Sequence, residues 1–240
     1  MNPEQDWVER AKKNAAKEAV KHVEDSFIVG LGSGTTAAYA IEELGKRAKK
    51  KSLQILGIPT SYQAFMLAVK HAISITTLEE HPTIDLTIDG ADQIDPELSL
   101  IKGMGGALAR EKIVAFASKK LVIIADENKK VQTLGQNGHP VPTEALPFAA
   151  SLVMRKMQEM GGRPVLREGK GKVGPVITDN GNVIIDTDFG PIQKPAELEH
   201  KLKCVSGVVE TGLFIDMADT VYIGKHSGVE KLFGKTVRKC

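Results

Sequence analysis

The residue types best suited to chemistry cluster between Ile84 and Lys112, in IDLTIDGADQIDPELSLIKGMGGALAREK. Asp89 and Asp92 stand at the end of a short apolar run, Ile84 to Ile88, where DGAD turns the chain at Gly90 and Ala91. A second apolar piece, Leu98 to Ile101, delivers Lys102 into a glycine-rich turn, Gly103-Met104-Gly105-Gly106. Glu111 follows between Arg110 and Lys112, early in the next helical pattern, Ala107 to Ala117. Two carboxylates, an ammonium and a third carboxylate thus gather at chain reversals, which is where α/β proteins place chemistry. Each also has a plainer reading. Asp89 and Asp92 can cap the turn that follows them. Glu111 can serve the helix dipole, and Arg110 and Lys112 can be surface charges. A metal site is the weaker alternative, because Asp89, Asp92 and Asp95 have neither EF-hand spacing nor a nearby histidine.

A second candidate is GLGSGTTA, Gly30 to Ala37, between an apolar run and a helical pattern. A loop opening a helix aims backbone N–H groups at one point and so favours an anion, and Ser33, Thr35 and Thr36 add hydroxyl donors. Three readings stand: a phosphate or sugar site, a dinucleotide site, or a tight turn with no ligand. The dinucleotide fingerprint G-x-G-x-x-G is met at Gly30 and Gly32, but Thr35 occupies the third glycine position. The acidic ribose partner is also missing; Lys49, Lys50 and Lys51 stand there instead. A nucleotide P-loop is excluded at Gly234-Lys235-Thr236, where Val229 replaces the leading glycine. The six histidines are scattered singly, and Cys204 and Cys240 have no motif around them.

The elements that must position these residues alternate. Residues 3 to 23 carry Trp7, Ala11, Ala15, Ala19 and Val23 at helical spacing. Strand-like runs follow at Phe27–Leu31, Leu53–Ile58, Ile73–Ile75 and Leu121–Ala125, with helical patterns to about Lys51 and over Tyr62–His71 between them. This order predicts an α/β fold: an open, mostly parallel sheet with helices on both faces. From Leu134 the texture changes. GQNGHPVPTEALPFA reads as a domain crossing. Beyond it come a helix to Met160, a strand at Pro164–Arg167, a hairpin around Asp179-Asn180-Gly181-Asn182, a short helix at Pro195–Lys203 and a strand broken at Gly212. Thr220–Ile223 reads as a return to the main sheet. The expected organisation is therefore a main α/β catalytic domain at 1–134 and 216–240, with a smaller inserted α+β domain at 135–215.

Composition narrows the partners. Lys+Arg of 32 against Asp+Glu of 30 leaves a net charge of +2, too balanced for a nucleic-acid footprint. The basic run Lys46–Lys51 reads as a solvated helix end. No apolar run is long enough to span a bilayer, the first residues lack an apolar signal core, and two cysteines are too few for a disulfide framework. The expectation is a cytoplasmic protein with neither nucleic-acid nor membrane partners.

The ordered set GLGSGTTA, DGADQID and KGMGGALAREK resembles ribose-5-phosphate isomerase of type A. The resemblance continues through Ile124-Ala125-Asp126 with Lys129, Gly161-Gly162-Arg163-Pro164, TDNGNVIID (Thr178 to Asp186) and GVVETGLF (Gly207 to Phe214), and so covers nearly the whole chain. It implies an aldose–ketose isomerase that interconverts ribose 5-phosphate and ribulose 5-phosphate, needs no metal or organic cofactor, and assembles as a homodimer or homotetramer. By position it implies substrate contacts from Ser33, Gly34, Thr35, Thr36, Asp89, Gly90, Ala91, Asp92, Lys102, Gly103, Met104, Gly105 and Lys129, with Glu111 as the base and Asp89 and Lys102 assisting. One departure is clear. The family pattern is KGGGG, and here Met104 replaces a glycine. A methionine there predicts an ordinary φ at that position, with its side chain packed under the loop or against a neighbouring subunit.

Overall fold

The computed structural model describes residues 3–171 and 173–234. Cys240 and the Lys235-Thr236 pair lie outside the described residues. In chain order the elements are α1 (Pro3–Ala19), β1 (Ile28–Leu31), α2 (Gly34–Lys51), β2 (Leu56–Pro59), α3 (Tyr62–Lys70), β3 (Ser74–Ile75), β4 (Leu86–Gly90), β5 (Gln93–Ile94), β6 (Leu100–Ile101) and α4 (Leu108–Phe116). Then come β7 (Leu121–Asp126), β8 (Val141–Ala145), α5 (Ala150–Glu159), β9 (Arg163–Leu166), β10 (Val183–Asp188), α6 (Pro195–Lys203), β11 (Val208–Thr211), β12 (Leu213–Phe214), β13 (Thr220–Lys225) and β14 (Gly228–Phe233). The chain divides into two compact units. Of the described residues, the first holds 3–91, 113–129 and 216–234; the second holds 92–112, 130–171 and 173–215.

The first unit is built on a seven-stranded sheet in the order β14-β13-β7-β4-β1-β2-β3. All neighbours in it pair parallel except β13 and β14. Alternate residues of the strands face opposite sides. Val29, Leu31, Leu86, Ile88, Val122 and Ile124 pack against alanines and aliphatics of α1, α2 and α3. Ile58, Ile84 and Val114 form the core of the other face. Helices therefore cover both faces, as the strand–helix alternation predicts, because parallel strands need crossovers and crossovers are helical. The strand order reverses between β1 and β4. In open α/β sheets, ligands usually bind outside the carboxyl ends of the strands at such a reversal.

The second unit carries a four-stranded antiparallel sheet, β11-β8-β10-β9, and a small three-stranded one, β12-β6-β5. Val153 and Met157 of α5 and Leu202 of α6 pack on Val141, Ala145, Val183 and Ile185. This grouping differs from the sequence expectation of 135–215, since Asp92–Lys112 and residues 130–134 go with the second unit. The physical reason is pairing: β5 and β6 hydrogen-bond to each other and β6 to β12, so the glycine turn that follows is drawn into that unit. The stretch read as a domain crossing contains β8, which is fully buried. Pro140 and Pro142 hide a strand there, since proline normally argues against an interior strand. The turn at Asp179–Asn182 is present, with Gly181 N–H donating to Thr178 O at 2.9 Å. Val176–Thr178 is not a strand beyond isolated bridges, and β10 pairs instead with β8 and β9.

Candidate active site

In the first unit, the predicted residues sit at the carboxyl ends of β1 and β4. Gly32 N–H donates to Ile88 O at 3.0 Å, which zips the two strand ends together. Asp89 is buried, and its Oδ1 accepts from the Ser33 and Gly90 N–H groups at 3.1 and 2.7 Å. A Cβ on Gly32 would strike the Asp89 carboxylate, so glycine is required for the aspartate to lie across the loop. Ser33 is the N-cap of α2, yet its hydroxyl makes no capping bond. It turns to Thr60 Oγ1 at 2.8 Å and Ser61 Oγ at 2.5 Å. Gly34 N–H donates to Gln63 Oε1 at 2.8 Å. Thr35 is exposed and Thr36 partly buried in the first turn of α2, whose N-terminus is positively polarised. Gly90 and Ala91 are partly buried at the end of β4. Lys129 is partly buried in a 3₁₀ turn, Glu127–Lys129, directly after β7, the other neighbour of β4.

In the second unit, Lys102 and Glu111 form one ion pair, Nζ to Oε2 at 3.1 Å, with side chains only 4% and 6% exposed. A buried carboxylate of this kind is tolerable because an opposite charge sits beside it. Lys102 is fixed by its backbone, whose N–H donates to Gly212 O at 2.8 Å, and its Nζ lies 5.3 Å from the Phe214 ring centroid. Lys112 lies 4.9 Å from the same ring. It is buried, not a surface charge, and bonds Glu199 at 2.7 Å and Glu210 at 2.9 Å. Burial raises the Glu210 carboxyl, but Lys112, Lys203 and the Thr211 N–H outweigh it and hold its pKa below the ordinary value. Arg110 is likewise engaged, donating to Asn180 Oδ1 at 2.7 Å and Asp179 O at 2.8 Å.

The turn after Lys102 closes with Gly106 N–H donating to Gly103 O at 3.0 Å. Gly103 has φ +106, and a Cβ there would lie 2.8 Å from Leu108 Cβ, so two constraints demand glycine. Met104 and Gly105 both lie outside the left-handed region. Ordinary φ at the two central residues is the turn class that takes most side chains, which explains how methionine fits. The expected packing under the loop is not seen. Met104 is 44% exposed, with its sulfur 4.0 Å from Arg167 Nη2. Its N–H donates to Asp92 Oδ2 at 3.0 Å. Sequence reasoning missed Gln63, Lys112 and Arg167. Nothing in their immediate sequence marks them, because each is defined by a partner at least 29 residues away.

Known proteins similar to this chain share one family name. The family model of ribose 5-phosphate isomerase A (phosphoriboisomerase A) matches residues 56–228. A relative from Archaeoglobus fulgidus, ribose-5-phosphate isomerase A, is 49% identical over 216 residues, covering 89% of this chain and 94% of the relative. One from Pyrococcus horikoshii, of the same name, is 46% identical over 226 residues, covering 94% and 98%. The solved ribose 5-phosphate isomerase A of Methanocaldococcus jannaschii aligns with a TM-score of 0.90 at 46% identity, over 94% of this chain and 99% of that one. A D-ribose-5-phosphate isomerase solved in complex with phospho-erythronic acid aligns with a TM-score of 0.92 at 45% identity, over 97% and 100%. With the motifs in order, the same fold, and identities of this size across whole chains, the chain belongs to the ribose 5-phosphate isomerase A family.

Proposed function

We propose that this protein interconverts D-ribose 5-phosphate and D-ribulose 5-phosphate through an enediolate, with Glu111 as the general base. The observation that carries the reading is the buried Lys102–Glu111 pair beside a glycine turn. Isomerisation moves a proton from carbon 2 to carbon 1. One carboxylate can take the first and return it to the second, and a positioned base contributes about 10²–10⁴-fold. Negative charge develops on the substrate oxygens as the proton leaves. The Lys102 ammonium and those N–H groups of the Gly103–Gly106 turn that are not bonded within the protein are the donors for it. Asp89 moves the hydroxyl proton that opens the furanose ring, and Asp92 orients hydroxyls. Ser33, Gly34, Thr35, Thr36, Gly90, Ala91, Met104, Gly105 and Lys129 complete the proposed substrate contacts. The phosphate goes either to the uncapped start of α2 or to Lys129, and binding there serves to orient the reacting end.

The proposal includes a homodimer or homotetramer. Tyr62, Phe65, Met66 and Val69 of α3 are all exposed, an apolar stripe at helical spacing that a second copy of the chain would cover. It also includes a cytoplasmic setting and the non-oxidative branch of the pentose phosphate pathway, where this interconversion belongs. No helix among the described residues is long and apolar enough to cross a membrane. The reaction is proposed to need no metal; among the described residues no group of three or more His, Cys, Asp or Glu could hold one. The test is to add ribose 5-phosphate to chelator-treated protein and follow ribulose 5-phosphate. Steady turnover is expected. Turnover only after a divalent ion is restored would overturn the metal-free part, and none under either condition would overturn the activity itself.

A further inference from the structure

Arg167, just beyond β9, has no part in the roles assigned above, yet it grips the glycine turn. Its Nε and Nη2 donate to the two carboxylate oxygens of Asp186 on β10, at 2.7 and 2.5 Å. Its Nη1 donates to the carbonyls of Gly103 and Met104, at 2.9 and 3.1 Å. The Arg167 and Asp186 side chains are 12% and 19% exposed, so the pair is largely shielded from water. A two-pronged carboxylate contact fixes the plane of the guanidinium, and lysine cannot reproduce it.

The direction of the turn's amides follows from that grip. All described peptide bonds are trans. In a trans peptide the carbonyl of one residue and the N–H of the next point in opposite directions. Holding the Gly103 carbonyl on Arg167 therefore turns the Met104 N–H away, and that N–H does meet Asp92 Oδ2. Holding the Met104 carbonyl in the same way turns the Gly105 N–H away from Arg167. Gly105 borders open space: apart from its chain neighbours, nothing lies within 4 Å of where its Cβ would be.

We propose that Arg167, locked by Asp186, is a positioning residue that aims the Gly105 N–H at an oxygen of the enediolate. The inference rests on the isomerase reading above and extends it to a residue outside the reacting groups. Met104 belongs to the same device, because the contact of its sulfur with Nη2 draws the one side chain of the turn to the Arg167 side.

The test compares Arg167→Lys, Arg167→Met and Asp186→Asn with the wild type. Kinetics give kcat and KM, and calorimetry gives the affinities of phospho-erythronic acid and of inorganic phosphate. The sugar acid carries a planar carboxylate like the enediolate, whereas phosphate reports the anion site alone. In the Arg167 variants kcat should fall about 10- to 10²-fold, the range approaching one lost oxyanion donor. KM should stay within about 3-fold, the signature of an interaction made only in the transition state. Affinity for the sugar acid should fall with kcat while affinity for phosphate holds. The pH limbs of kcat/KM should not move, because the base is untouched. Unchanged kcat and sugar-acid affinity in both Arg167 variants would overturn the proposal, and so would equal losses of sugar-acid and phosphate affinity. If the Arg167 variants do not fold, Asp186→Asn carries the same expectation at a smaller factor, and an unaltered affinity ratio there overturns it. A wild type that fails to turn over ribose 5-phosphate would sink the isomerase reading, and the ratio of the two affinities would still decide the role of Arg167.

Discussion

Glu111 is a carboxylate shut away from water beside the Lys102 ammonium. The sequence placed it early in a helix, where an exposed glutamate would also be at home; the structure buries it against Lys102. Glu111→Gln is therefore expected to do two things. Turnover should fall at least about 10²-fold, as for a lost general base. Stability should fall as well, because removing one member of a buried pair costs about 3–5 kcal/mol. The double variant Lys102→Met with Glu111→Gln should regain much of the lost melting temperature and none of the activity. Near-normal turnover by Glu111→Gln would remove the residue from the mechanism. The neighbouring turn gives the contrasting case. Met104→Gly should keep turnover within a few-fold, since methionine already has ordinary backbone there. Gly105→Met should abolish turnover by filling the space beside the Gly105 amide, with little loss of melting temperature.

At the level of elements, α4 and the β11–β12 segment hold the Lys102–Glu111 pair in register. Lys112, next to Glu111, is anchored by Glu199 and Glu210, and Gly212 supports the Lys102 backbone. A Cβ on Gly212 would collide with Lys102 O and lie 2.9 Å from Pro142 O. Gly212→Ala is thus expected to lower both stability and kcat, whereas Gly105→Ala, facing open space, should fold normally. Thermal melts and initial rates separate the two. The pH behaviour follows from Glu210, whose folded pKa is held below the ordinary carboxylate value by Lys112, Lys203 and the Thr211 N–H despite burial. A depressed carboxylate contributes stability above its unfolded pKa and loses it as pH falls through the folded one. Glu210→Gln should therefore be less stable than wild type at neutral pH, and the difference should shrink as the pH drops below about 4. A gap between the melting curves that stayed constant from pH 7 to pH 3 would contradict this account.

For the whole molecule, the exposed α3 stripe is a contiguous apolar face out of place on a free surface. A helix that is apolar on its outer as well as its inner side is normally covered. Met66→Glu with Val69→Glu should shift the protein to a smaller species in sedimentation velocity, with its fold retained. An unchanged sedimentation coefficient would place any self-association elsewhere. The same helix is capped by Ser61, whose hydroxyl bonds the Ser33 hydroxyl, so turnover by the smaller species should be measured alongside.

Much of this protein is written in local pattern. Alternating apolar runs and helical periods suffice for the open parallel sheet, because β1, β4 and β7 are short buried strands ended by glycine or aspartate. The glycine loops, Asp89, Lys102 and Glu111 are legible because turn chemistry depends on near neighbours. What sequence pattern missed depends on distant partners. Strand β8 is buried on all its residues despite Pro142, because β10 and β11 flank it. Lys112 looks like any helix-surface lysine until Glu199 and Glu210 arrive from 87 and 98 residues away. Arg167 meets the glycine turn from 64 residues away. Burial and ion pairing are properties of three-dimensional neighbourhoods, and the period of a helix or strand carries no record of which charge will stand opposite. The residue types and their order were settled by the sequence; which charges are buried, and what holds the glycine turn, only the tertiary structure decided.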